Sequence, residues 1–538
     1  MKTKIVYVSL LLLSILSIGQ AQTVPVGLLD NSDDYYRRQQ LLGNDTSSFM
    51  IRPIKVNGAE ELNRELFRSW NGKLTLHALP IVWQQQYNSD HPYGINDGAM
   101  IPARGYQTLF SGGVAARLGP VTINLRPEFV FAENKDFTEV LEAKNSEFIK
   151  HQYASLLNVI DLPDRFGTRS YTKVNWGQSN IRLNLGPASI ALSNENLWWG
   201  PGTRNSLLMT NNAAGFEHIS LSTMRPIQSP IGSFEAQIIG GKLENTGITG
   251  QYLGNRPKLN DWRYLSGINL NYQPKWISGL YLGLQRSFIV YQSQMGNGFG
   301  DYFPFFTSVT KNSFSVEDGG ADKEDLKQRD QIISLSARWL LQDAKAEIYV
   351  EYGREDHSKD LRDFVVEPEH DRAYVFGFRK LFDIGVIEGQ IQAGIEFTHF
   401  ENSISSVVRA PVIWYAHTQV RDGYTNKGQL LGAGISPGSN AQTFDLNWVN
   451  AWDRIGFRVE RITHNNVLYD REFVRNKGDK REWSDIAFTG RYDKELGRFI
   501  FNSQFTYVKS TNYQWVVRES NEGSPKNIQM RLGIMYRW

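Results

Sequence analysis

The chain has 538 residues, no cysteine, 58 Lys and Arg against 56 Asp and Glu, and a formal net charge of +2. Near-neutral charge offers no basic stripe to a nucleic acid. The missing thiols exclude disulfides, thiolate metal sites, a cysteine nucleophile and a lipid-modified N-terminal cysteine. Aromatic residues make up 12% of the chain, beside 47 glycines, and mean hydropathy is −0.40. That excludes a bundle of membrane helices. It suits a membrane β-barrel, in which only alternate residues face lipid.

Residues 1–21 read as a cleaved secretory signal. Lys2 and Lys4 precede an apolar run from Ile5 to Ile18, and Ala21 supplies a small residue at its end. The run is too short to span a bilayer comfortably. Residues 22–70 then read as a partly helical periplasmic segment. Asn31 and Ser32 open one expected helix, with Asp33 and Asp34 in its first turn and a stop at Gly43. A second helix is expected from Ala59 to Trp70, with Leu62, Leu66, Phe67 and Trp70 on one face. Residues 71–538 form the main body, with an inserted helical segment near 138–157, where Leu141, Phe148, Ile149, Leu156 and Leu157 recur at near-helical spacing.

From Leu74 onward the dominant period is two. Val121, Ile123, Leu125 and Phe129 alternate with Thr122, Asn124, Arg126 and Glu128. Leu335, Ala337 and Trp339 alternate with Ser334, Ser336 and Arg338, and Ile348 and Val350 with Glu347 and Glu351. Ile387, Ile391, Ala393, Ile395 and Phe397 alternate with Glu388, Gln390, Gln392, Glu396 and Thr398. Segments of about ten residues suit tilted membrane strands, and closure leaves no unpaired edge in lipid. The predicted fold is all-β, a large antiparallel outer-membrane barrel whose Glu, Gln and Arg rows line the lumen. Met530, Leu532, Ile534, Tyr536 and Trp538 end the chain on an aromatic. That pattern resembles the terminal-strand signal of bacterial outer-membrane barrels, read by the insertion machinery. The expected location is the outer membrane of a Gram-negative bacterium, with its lipid as surroundings.

Long loops are expected near 295–331, 354–372 and 414–440. The acidic run Glu317, Asp318, Asp322, Glu324 and Asp325 lacks the ligand spacing of a calcium loop and reads as solvated. No metal or cofactor is expected.

Two aromatic clusters are the candidate sites. The first holds Glu195, Asn196, Trp198, Trp199, Arg204, Asn211 and Asn212 around a Gly200-Pro201-Gly202 turn. The second holds Trp414, Tyr415, His417, Arg421, Tyr424, Asn426 and Gln429 on a glycine-rich loop. Flat aromatic faces beside guanidinium and amide donors suit a sugar, whose C–H face stacks while its hydroxyls and carboxylates take hydrogen bonds. The same residues suit a loop locked into a barrel to seal it, and both readings stand. Nucleophile-elbow and zinc-protease spacings do not occur, and carboxylate pairs arise in a barrel lumen by chance. The chain is not read as an enzyme.

Residues 194–206, with Trp198-Trp-Gly-Pro-Gly202 at their centre, resemble the Wzi family of capsule-assembly outer-membrane proteins. Supporting stretches are 92–104, Arg126-Pro-Glu-Phe129, 177–184, Pro230-Ile-Gly-Ser-Phe-Glu235 and 421–432. The resemblance spans nearly the whole mature chain. It implies a barrel of roughly eighteen strands with a small helical part on the periplasmic side. It implies a lectin-like, non-enzymatic role in assembling or retaining capsular or other surface polysaccharide. The alternative is a saccharide-conducting porin or export channel that uses the polar lumen as its path.

Overall fold

The computed structural model describes residues 22–538 apart from 46, 57–61, 249–257, 307–327, 356–365, 367–368, 370, 386–387, 402–412, 436, 469–481 and 518–523. The signal at 1–21, the acidic run at 317–325 and Ile387 lie outside the described residues. Eighteen antiparallel strands form one closed barrel. The first, Leu74–Asn88, pairs with the last, Lys526–Tyr536, in the register Tyr87↔Met530 and Ile81↔Tyr536. Three strands are broken. Val121–Leu125 continues as Glu128–Ala132, Tyr171–Asn175 as Asn180–Leu185, and His218–Thr223 as Ile227–Ser229. On the short-turn side of the first two breaks the ring is joined by the pairing of Asn180 with Asn124.

The two-residue period places side chains as expected. Ser334, Arg338, Glu347, Glu351, Gln392, Glu396, Asn502 and Gln529 are buried in the lumen. Their neighbours Leu335, Trp339, Ile348, Phe397, Phe505 and Met530 are exposed on the outside. Closure pairs the strands on both sides around the ring except at Tyr171–Asn175 and Ile227–Ser229, which among the described residues pair on one side alone, so the ladder keeps backbone donors within the sheet. Trp276, Trp339, Phe382 and Phe499 stand exposed near the short turns, as the aromatic girdle of a membrane barrel does.

Short turns such as 342–345 and 451–452 mark one end, which in outer-membrane barrels faces the periplasm. Helix Ser32–Leu41 lies there. Tyr35 stacks on Trp452 with ring centroids 4.0 Å apart, and Arg38 donates to the Ala451 carbonyl at 2.7 Å. Gly43 follows with φ of +82°, which ends the helix.

Two helical expectations change. Residues 64–68 are a strand, Arg64–Arg68, paired with the first barrel strand. Leu66, Phe67 and Trp70 are exposed while Leu62 is buried, so the hydrogen-bond ladder outweighs the apolar periodicity. The stretch 138–157 is helical only over Glu147–Leu157, after Ser146 accepts from the Ile149 N–H at 3.3 Å. That helix sits at the long-loop end. Ile149 packs with Leu468 and Trp515, so the helices divide between the two ends and are not all periplasmic.

Candidate functional site

The two aromatic clusters lie more than 200 residues apart in the chain and meet inside the barrel. Trp199, Leu207, Leu208, Met209, Trp414, Tyr415, Tyr424 and Leu430 share one buried core. Trp199 and Trp414 are each 0% exposed. The backbones join the clusters: Thr210 N–H donates to Leu431 O at 2.8 Å, and the Tyr415 hydroxyl donates to Leu207 O at 2.7 Å. This apolar core crosses the lumen.

Lumen-wall carboxylates hold the first cluster. Glu396 accepts from the backbone N–H groups of Thr203 at 2.7 Å, Arg204 at 3.1 Å and Asn205 at 2.8 Å. It also accepts from the hydroxyls of Thr203 and Tyr349, both at 2.7 Å. Glu351 accepts from Ser206 Oγ at 2.6 Å and from Leu207 N–H at 3.2 Å. Arg204 forms a two-pronged pair with Glu460 at 3.0 and 3.2 Å. Burial alone would lower the Arg204 pKa, but Glu460 and Asp30 raise it above the ordinary arginine value. Turn geometry requires Gly202, since a Cβ there would collide with the Asn205 carbonyl oxygen.

The N-terminal segment grips the same turn from below. Ile51–Arg52 pairs with Trp198–Trp199. The Arg52 guanidinium lies 4.2 Å from the Trp198 ring centroid and donates to Gly202 O at 2.7 Å. Trp199 donates from Nε1 to Gln237 Oε1 at 2.7 Å, and its ring fills the space that a Cβ at Gly267 would enter. Asn196 donates to Asn211 Oδ1 and to Ala213 O, both at 2.8 Å. Glu195 is buried beside Arg182 and Ser193.

The second cluster divides. Tyr415 and Tyr424 are buried and stacked 5.9 Å apart. His417 and Arg421 are half-buried at the long-loop end. There Arg421 donates to Asn158 O at 3.0 Å, and His417 N–H donates to Val159 O at 3.0 Å. Asn426 and Gln429 turn inward onto Ala214 O and Met100 O. Sequence reasoning did not single out the N-terminal anchors Arg52 and Arg37, the latter donating from Nε to Glu347 Oε1 at 2.7 Å. It read Glu347, Glu351 and Glu396 as lumen lining, and their period-two spacing was the available signal.

Two cavities flank this core. One, of about 450 Å³, opens at the strand break between Tyr171–Asn175 and Asn180–Leu185 and runs toward the long-loop side at Glu244 and Lys427; Lys173, Asn175, Trp176, Asn194 and Asn426 also line it. Strand Tyr171–Asn175 pairs only with Glu128–Ala132 among the described residues, so the wall gapes here. Trp176 is 65% exposed beside it. Lys242 and Lys427 share Glu244 at 3.0 and 3.5 Å. The other cavity, of about 1210 Å³, lies at the short-turn end.

The fold is similar to that of Wzi from Escherichia coli, described as a carbohydrate-binding β-barrel involved in group 1 capsule assembly. Identity is 14% over 85% of this chain and 84% of that one, with a TM-score of 0.53. OccAB2 of Acinetobacter baumannii matches at 10% identity and a TM-score of 0.40, over 85% of this chain and 97% of that one. OccD3 of Pseudomonas aeruginosa matches at 8% and 0.41, over 88% and 93%. Among curated proteins none matches by sequence. The model of the family described as capsule assembly protein Wzi matches residues 93–495. With the closed outer-membrane barrel and the Trp198-Trp199 turn locked in its lumen, that match places the chain in the capsule assembly protein Wzi family.

Proposed function

We propose that this barrel binds capsular polysaccharide at the cell surface, retains it there without covalent chemistry, and reaches the outer membrane by cleavage of a signal over residues 1–21. The carrying observation is the outer cleft. It sets the exposed Trp176 ring beside Lys173, Lys427 and the amides of Asn175, Asn194 and Asn426. An aromatic face flanked by amides and ammonium groups suits a sugar ring with hydroxyl or acidic substituents. A polymer offers the same unit repeatedly, so weak contacts add by avidity.

In this reading Glu195, Asn196, Trp198, Trp199, Arg204 and Asn211 act by shaping and sealing the lumen. Trp414, Tyr415 and Tyr424 complete the seal. His417 and Arg421, half-exposed at the outer end, extend the glycan-facing surface. The core across the lumen favours a retaining barrel over a saccharide-conducting one.

The test is capture of the host's surface polysaccharide by the refolded barrel and by Trp176→Ala. The parent binds, and the variant loses about three- to tenfold in affinity, the effect of roughly 0.7–1.4 kcal/mol of stacking. Full retention by a folded variant moves the seat off the cleft. Failure of the parent to bind, or a large open conductance in planar bilayers, overturns the reading. Shortening of the glycan on incubation would make the protein a hydrolase instead.

A further inference from the structure

The cavity of about 1210 Å³ lies on the periplasmic side of the sealing core. Turn residues Asn71, Lys73, Gly119, Gly186 and Arg225 form its rim, so it reaches the short-turn end. The N-terminal segment bounds one side through Phe49, Ile51 and Pro53, and barrel strands bound the other. Its volume exceeds that of an ordinary small-molecule pocket. Glu195 lines it while the adjacent Asn194 lines the outer cleft. The vestibule therefore ends blind against the same turn that seals the lumen.

Its walls are basic. Arg117 and Arg182 both stand opposite Thr122 on the strand between them. Adjacent strands are about 4.8 Å apart, so the two backbones are about 10 Å apart in one rung. Arg182 is paired with Glu195 at 3.4 Å, and Arg68 with Glu65. Arg117 makes one long bond, 3.5 Å, to Gly119 O. Among the described residues Lys73 and Arg225 have no ion pair, and both are exposed. With the two pairs set aside, Lys73, Arg117, Arg126 and Arg225 face Asp45 and Glu235. Thr75, Thr122, Asn124 and Asn184 place hydroxyls and amides between the cations.

We propose that this vestibule is a second binding site, which takes an acidic oligosaccharide segment from the periplasmic side with its carboxylates on Arg117, Arg225 and Lys73. Guanidinium groups recognise carboxylates by paired hydrogen bonds, and the interleaved amides and hydroxyls take the sugar hydroxyls. The site rests on the glycan-binding reading for its saccharide class, but it shares no residue with the outer cleft. The protein thus presents one glycan seat on each side of its seal.

The test uses the full mature barrel in detergent micelles, titrated by calorimetry with a short oligogalacturonate. A neutral maltooligosaccharide and inorganic phosphate serve as comparison probes. The acidic oligomer binds, its affinity falls as salt rises, and the neutral oligomer binds at least about tenfold more weakly. The Arg117→Gln/Arg225→Gln variant loses about tenfold or more for the acidic oligomer, while Trp176→Ala leaves that affinity unchanged. Neither Arg117 nor Arg225 holds another ion pair among the described residues, so the fold is kept, and strand content by circular dichroism verifies it. Loss of binding in Trp176→Ala alone assigns it to the outer cleft and overturns the vestibule. Phosphate competing as well as the acidic oligomer overturns the saccharide class. Absence of acidic-oligomer binding overturns the vestibule even where capture of whole polysaccharide at the cleft succeeds.

Discussion

Glu396→Ala tests the lock on the Trp198-Trp199 turn. In the parent, one carboxylate takes three successive backbone N–H groups, those of Thr203, Arg204 and Asn205, and two hydroxyls. Each buried N–H left without an acceptor costs about 1–3 kcal/mol, so three cost roughly 3–9 kcal/mol. Water entering the vacated volume recovers part of this. The expected loss is about 3–5 kcal/mol for the local opening of the turn. At about 1.4 kcal/mol per decade, hydrogen exchange at Thr203–Asn205 speeds up by roughly two to four orders of magnitude. Amides of the wall strands far from the turn keep their protection, because their ladder bonds are untouched. Deuterium uptake by mass spectrometry on the refolded barrel reads both. Unchanged exchange at Thr203–Asn205 in a folded variant would refute the claim that the wall carboxylate holds the turn. Full exchange of the wall strands would refute its locality.

Trp199→Ala removes one of the two buried tryptophans of the sealing core, together with its bond to Gln237. A loss of about 3–5 kcal/mol is expected, read as a lower urea midpoint, with intermittent conductance in planar bilayers where the parent is nearly silent. Asp34 gives a pH dependence. Burial raises its pKa, but Arg38, Arg379 and Arg454 outweigh burial and hold it well below the usual carboxylate range. A depressed acid contributes stability that is present above its unfolded value of 3.8 and lost as pH falls toward the folded value. Helix Ser32–Leu41 therefore stays docked at neutral pH and exchanges faster only in acid below about pH 4. Asp34→Asn loosens that helix by about 3–5 kcal/mol at neutral pH, because the clustered guanidinium groups lose a shared partner. Exchange of the helix amides follows both effects, and a helix equally protected in Asp34→Asn would remove the charge argument.

Much of the barrel was legible in the sequence. Ser334, Ser336 and Arg338 face the lumen and Leu335 and Trp339 face lipid, as their alternation requires. The solvent on each face of a membrane strand differs so sharply that a period of two reports the face directly. The helix at Ser32–Leu41 was legible from its acidic first turn and its glycine stop. Residues 64–68 were not, because an apolar face at helical spacing does not reveal that a neighbouring strand supplies a ladder.

By itself, then, the chain determined its class, its lumen and lipid faces, its terminal strand and the residue types of its candidate clusters. These are local properties, carried by neighbours within a few positions. The tertiary structure decided that Trp199 and Trp414 share one core, that Glu396 and Glu351 hold the turn between them, and that Arg52 seals it from the N-terminus. It also decided that Trp176 is left outside, beside a cleft, while Arg117 and Arg182 line a vestibule on the far side. Closing eighteen strands fixes which loops face one another across the lumen. That pairing depends on the register of the whole ring, which no stretch of sequence carries alone.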